Sequence, residues 1–186
     1  VLIFLSFTGL PVADYKAGMG TLSWLLTPAT ICLAVPMYEQ FQILKKNLPM
    51  ILAGVAAGAV SCLIMVAGFG ILVNFESILT ISLMPKSITT AIGMSLSEEL
   101  GGVAAVTVTA IVLTGILGNC LAVFLCRLFR ITEPVAKGIA IGTASHALGT
   151  SKAMEIGKVE GAMSSLSIVV AGIMTVVAVS VFGMLI

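Results

Sequence analysis

Pro49–Val73 reads PMILAGVAAGAVSCLIMVAGFGILV, a stretch without a single charged residue. It is longer than the ~20 apolar residues an α-helix needs to cross a bilayer. Gly102–Cys126 (GVAAVTVTAIVLTGILGNCLAVFLC) and Ala162–Ile186 (AMSSLSIVVAGIMTVVAVSVFGMLI) repeat the pattern. The whole chain of 186 residues agrees: 59% are hydrophobic and 9% charged, with a mean hydropathy of +1.21. A soluble domain carries about 45–50% apolar and about 25% charged residues, so a water-soluble fold is excluded. A disordered chain would need the opposite bias. A net charge of +1 provides no field for nucleic acid. The sequence therefore specifies an all-α integral membrane protein, a polytopic helical bundle with room for roughly five to seven embedded segments.

N-terminal to this stretch, Leu22–Met37 (LSWLLTPATICLAVPM) is shorter and contains Pro28 and Pro36, which predicts a kinked or broken span. Trp24 and Tyr38 suit interface positions. Val1–Leu10 is apolar but has neither a starting Met nor a basic region, so the chain is expected to begin earlier, with its first segments missing. Gly54 and Gly58 permit close helix contact. Cys32, Cys62, Cys120 and Cys126 lie in or at the edge of apolar runs without a C-x-x-C pair and read as small apolar helix residues.

Two stretches fit neither loops nor plain spans. Ile78–Ser97 (ILTISLMPKSITTAIGMSLS) and Gly138–Lys152 (GIAIGTASHALGTSK) are apolar yet rich in Ser, Thr and Gly, and they carry Lys86 and His146. Lys45 and Lys46 precede the 49–73 span, and Arg127, Arg130 and Lys137 follow the 102–126 span. The positive-inside rule places both basic groups in the cytoplasm, which requires Ile78–Ser97 to dip in and return by the same face. The two regions also share a repeat: Ala91–Gly101 (AIGMSLSEELG) and Ala147–Gly157 (ALGTSKAMEIG) are identical at Ala91/Ala147, Gly93/Gly149, Ser95/Ser151, Glu99/Glu155 and Gly101/Gly157. An inverted repeat of two broken or re-entrant segments is the expected architecture, as in many secondary transporters.

Irregular backbone at membrane depth is tolerated only where protein buries it or a wet cavity receives it. Pro85–Thr90 and Thr143–Ser151 supply hydroxyls there, and helix N-termini starting in them would favour an anion; a small carboxylate is the natural guest. Lys86 costs about 2.5–3.5 kcal/mol in an apolar span unless it faces a cavity or partner. It either neutralises that carboxylate, or snorkels, or pairs with Glu98 or Glu99. His146 is either a hydrogen-bonding or proton-accepting site residue or a packing residue between helices. Glu99 and Glu155 are read as caps for the helices that follow them, or as coupling groups. Thr30, at a helix break after Pro28, contributes a hydroxyl to the site or bonds back to its own helix. Lys152, Lys158 and Glu160 read as a solvated loop. No metal site is expected around a lone histidine, no cofactor fingerprint is present, and no nucleophile–base arrangement argues for an enzyme.

Pro28-Ala29-Thr30, Pro85-Lys86-Ser87-Ile88-Thr89-Thr90 and Glu133-Pro134-Val135-Ala136-Lys137-Gly138 resemble the LrgB/CidB family. The block Ser145-His146-Ala147-Leu148-Gly149-Thr150-Ser151-Lys152 carries the resemblance most specifically. It implies one transmembrane domain over residues 1–186 in a bacterial inner membrane, with a holin-like LrgA/CidA-type partner. It carries two functional labels. One is antiholin-like control of murein hydrolase activity and cell lysis; the other is transport of small carboxylates, such as glycolate, glycerate or pyruvate. The transporter reading assigns Lys86, Ser87, Thr89, Thr90, Ser145, His146, Thr150, Ser151 and Thr30 to the substrate. A homo-oligomer is also expected.

Overall fold

The computed structural model describes residues 34–183 together with Pro28, Ile31 and Cys32. The first segments, Trp24 and Thr30 lie outside the described residues. The described residues from Pro36 onward form one compact unit. Seven helices are described: α1 Ala34–Glu39, α2 Phe41–Val73, α3 Ser77–Leu83, α4 Thr90–Glu99, α5 Ala104–Leu128, α6 Pro134–Ile156 and α7 Lys158–Gly183. No strand occurs among the described residues. The helices α2, α5 and α7 are long and apolar enough to cross a membrane. More than half of α7's most apolar window is buried, at 56%, against 22% for α2 and 17% for α5. The last helix is therefore the central post, and the other two turn apolar flanks outward.

Two helix boundaries differ from the sequence reading. The helix α2 begins at Phe41 and runs through Pro49, so Lys45 and Lys46 sit in its first turns rather than in a loop. Lys152, Lys158 and Glu160 form no loop either: the first lies in α6 and the others open α7, with Glu160 buried. An acidic residue in a first helical turn is favoured by the exposed N–H groups there, which composition alone does not reveal.

The segments between the long helices double back on themselves. At about 1.5 Å per residue, α3 and α4 are each too short to cross a bilayer. Residues 84–89 between them form turns. Ser82 and Ser97, one from each arm, both meet Thr107 of α5, whose hydroxyl donates to the Ser82 carbonyl at 2.8 Å and lies 2.7 Å from Ser97 Oγ. One helical turn further along α5, Ile111 packs over Gly93, whose other close neighbour is the Pro85 carbonyl. In α6 the backbone leaves helical geometry at a single residue, His146 (φ 42°, ψ −138°). Gly142 and Thr150, on opposite sides of that break, both meet Ser164 of α7. The sequence reading expected an irregular stretch over Thr143–Ser151. Instead both arms stay helical up to the break, which leaves far fewer free peptide groups.

Glu133 initiates α6 by accepting from the Val135 and Ala136 N–H groups, ahead of Pro134 at the first helical position, where its missing N–H removes no helical bond.

Candidate functional site

Contacts along the two outer helices locate the tips of the doubled segments. Moving along α2, Gly54 packs on Ile139 and Gly58 on Thr143 of the second segment. One turn later Cys62 Sγ lies 3.3 Å from Ser87 Oγ of the first, and Gly70 then packs on Thr80. Moving along α5, Thr107 and Ile111 belong to the first segment, whereas Gly115, Gly118 and Asn119 touch His146, Ser145 and Leu148. Both segments thus contact α2 and α5 near the middle of these helices.

A cavity of about 870 Å³ lies at this junction. Lys86 and Ser87 reach it from the first tip, Thr143, Ala144 and Ser145 from the second, and Gly54, Gly58, Cys62, Thr114 and Gly118 from the flanking helices. From there it continues past Ile139 and Leu125 to Asn47 and Glu133. It is therefore an apolar vestibule with a polar floor. Lys86 Nζ donates to Ser87 Oγ at 3.3 Å, a long bond, and has no carboxylate within 4.0 Å among the described residues. Glycines at 58 and 118 are required by close approach, since a methyl group at either would collide with Thr143 or Ser145.

The residues assigned to the site from sequence separate into two groups. Lys86, Ser87 and Ser145 line the cavity. His146 does not: it is 4% exposed, and its Nε2 lies 3.0 Å from the Ile111 carbonyl. Thr150 is fully buried and bonds the His146 carbonyl at 2.9 Å and the Ser164 hydroxyl at 2.7 Å. Ser151 donates to the Leu148 carbonyl, and Asn119 Nδ2 reaches both that carbonyl (2.6 Å) and Ser151 Oγ (3.1 Å). Thr89 precedes the first residue of α4, and Thr90 is exposed; neither is among the lining residues. Glu99 is exposed at the end of α4, and Glu155 pairs with Lys152 at 2.6 Å. Neither accepts a hydrogen bond from a helix N-terminus among the described residues; Glu133 does so for α6.

Sequence reasoning passed over Asn119, Thr114 and Thr143 as individual site residues. Asn119 was legible as an amide in an otherwise apolar span. Thr143 Oγ1 is a buried hydroxyl without a partner among the described residues, at the cavity wall. All four cysteines are free, and no cluster of metal-ligating side chains occurs among the described residues.

No solved structure matches the chain. A model of the LrgB-like family matches residues 1–185. The chain belongs to that family, one of membrane transporters or regulators rather than enzymes.

Proposed function

We propose that this member of the LrgB-like family is a secondary transporter, or the transport subunit of one, for small 2-hydroxy or 2-oxo monocarboxylates such as glycolate, glycerate or pyruvate. The reading carries with it an inverted repeat in which residues 78–97 and 138–152 are re-entrant. One observation supports it most: both segments contact the middle of α2 and α5 and reach a common cavity, and one delivers a lysine to it. A cation at membrane depth is costly without an anion to face, and a regulator of a neighbouring pore has no need of one in a cavity. The repeat supports the same reading. Gly93 and Gly149 are equivalent in sequence, and each lies in the second arm of its segment against the carbonyl of an earlier residue, Pro85 or Ile141.

In this mechanism Lys86 neutralises the carboxylate, while the hydroxyls of Ser87 and Ser145 receive its oxygens and a 2-hydroxyl or 2-oxo group. The apolar vestibule excludes ions whose charge has no such partner. The vestibule opens toward Asn47 and Glu133, the end that also bears Lys45, Lys46 and Arg127. By the positive-inside rule this is the cytoplasmic side of the inner membrane, so the conformation is inward-facing, and rocking of the two segments against α2 and α5 would expose the tips to the other face.

Uptake of labelled pyruvate and glycolate into proteoliposomes tests the reading. Saturable uptake is expected from the native chain, alone or with a holin-like LrgA/CidA-type partner added, and a fall of at least about tenfold with Lys86→Ala, the loss of ~1.4 kcal/mol or more of carboxylate binding. Absence of flux under both conditions would favour the antiholin-like regulator, and flux that does not saturate a pore.

A further inference from the structure

We infer that a second pocket, at the end of α5, binds the phosphate group of an anionic phospholipid. The pocket measures about 530 Å³ and shares no lining residue with the central cavity. Arg127, Arg130 and the half-buried Lys137 surround it, with Thr132 beside them and Val123 and Ile156 as an apolar wall. Among the described residues no Asp or Glu lines it, and none of the three cations has a carboxylate within 4.0 Å. Three like charges around one hollow repel one another unless an anion joins them. Arginine's planar fork of donors suits phosphate oxygens.

The turn that creates the pocket carries an independent mark. Ile131 N–H donates to the Cys126 carbonyl at 2.8 Å and Arg130 N–H to the Arg127 carbonyl at 3.1 Å. This closes α5 with a left-handed residue, Arg130 at φ 53°, in a position that favours glycine. The end of α2 uses the same closure, with Asn74 as the left-handed residue (φ 55°), a residue type that tolerates this conformation. Arginine gains nothing from that backbone, which glycine would adopt without strain. Beside it, Leu128 and Phe129 are 60% and 69% exposed. Apolar side chains of this size at the end of a spanning helix belong in the acyl–headgroup boundary, where a lipid phosphate lies. A basic pocket between helices at that depth is a headgroup site in chemistry and in position.

The full chain in phosphatidylcholine nanodiscs, titrated with phosphatidylglycerol and followed by thermal midpoint and by lipids retained in native mass spectrometry, tests the proposal. The native chain is expected to retain phosphatidylglycerol and to melt later with it. Arg130→Gly keeps the turn and relieves its backbone, yet it should weaken phosphatidylglycerol binding about fivefold. Arg127→Gln with Lys137→Gln should weaken it about 25-fold, one such factor per charge removed. Lys86→Ala should leave it unchanged, which separates this site from the transport reading. Unaltered affinity in Arg130→Gly, equal retention of phosphatidylcholine, or equal stabilisation by inorganic phosphate alone would each overturn the lipid assignment.

Discussion

Residues 77–99 and 134–156 carry matching sequence at 91–99 and 147–155, yet they are held in different ways. The first is clasped by hydroxyls: Ser82 Oγ accepts from Val103 N–H at 2.7 Å, and Thr107 joins Ser82 to Ser97. Around this clasp Met84, Ile88 and Leu96 form a small apolar cluster with Val66 and Val179. The second is held by backbone proximity. Gly138 and Gly142 of α6 lie against the main chain of Glu160 and Ser164 of α7, and Thr150 bonds Ser164. Its tip bends at one histidine, whereas the first has a six-residue turn, 84–89. The second segment is thus a frame fixed to the central post, and the first presents the charged tip to the cavity. Matching sequence in the two segments therefore does not give them the same contacts or the same work.

Three substitutions can break or sharpen that contrast. The largest effect is expected at Gly142→Val. Its first added carbon would strike the Ser164 backbone, which cannot swing aside as a side chain tip can. A loss of about 3 kcal/mol or more, the upper end of overpacking, should appear as a lowered thermal midpoint. Gly68→Ala is its control, since nothing lies within 4 Å of the added methyl, and a mid-helix site gains up to about 1 kcal/mol. If Gly142→Val melts like the native protein, the second segment is not the frame.

Thr107→Val comes next. The replacement matches in volume, so it removes the clasp without leaving a hole. A cost of about 1–3 kcal/mol follows from leaving buried partners unsatisfied, measured as a shift in the denaturation midpoint. The loss should loosen the first segment preferentially, with faster hydrogen exchange over residues 90–99 than over 147–156. Equal changes in both segments would remove the distinction between them.

The smallest effect is expected at His146→Gly. Glycine adopts φ 42°, ψ −138° without the strain of about 1–3 kcal/mol borne by a side chain. That relief offsets only part of what is lost, the roughly 1 kcal/mol hydrogen bond to Ile111 and the packing of a buried imidazole, so a net loss of about 1–2 kcal/mol is expected. His146→Ala keeps the strain, loses the bond, and should be the less stable of the two. Carboxylate uptake should survive in His146→Gly while it is lost in Lys86→Ala. Equal loss in both variants would return His146 to the substrate.

Much of this was legible before any coordinates. The three spans appear where uncharged runs exceed the bilayer's thickness, and α5 and α7 end within a few residues of the apolar limits. Pro85–Thr90 reads as irregular because Pro85 and the hydroxyl run favour turns, and it is irregular. The reading failed where helix-breaking signals are weak. Nothing local marks His146 as the hinge of α6, and Pro49 argues against the helix that nevertheless passes through it.

Sequence alone determined that the chain lives in a membrane, that it is helical, and that two hydroxyl-rich segments interrupt its spans. These properties are sums over neighbouring residues, and such sums need no knowledge of the fold. Which polar groups remain available was decided only by tertiary structure. Ser145 and His146 are adjacent in the chain, yet one faces the cavity and the other bonds Ile111, 35 positions away. Thr150 is likewise occupied by Ser164, from another helix. A buried hydroxyl or imidazole must find a partner, and whether that partner is protein or guest depends on which distant helix lies against it.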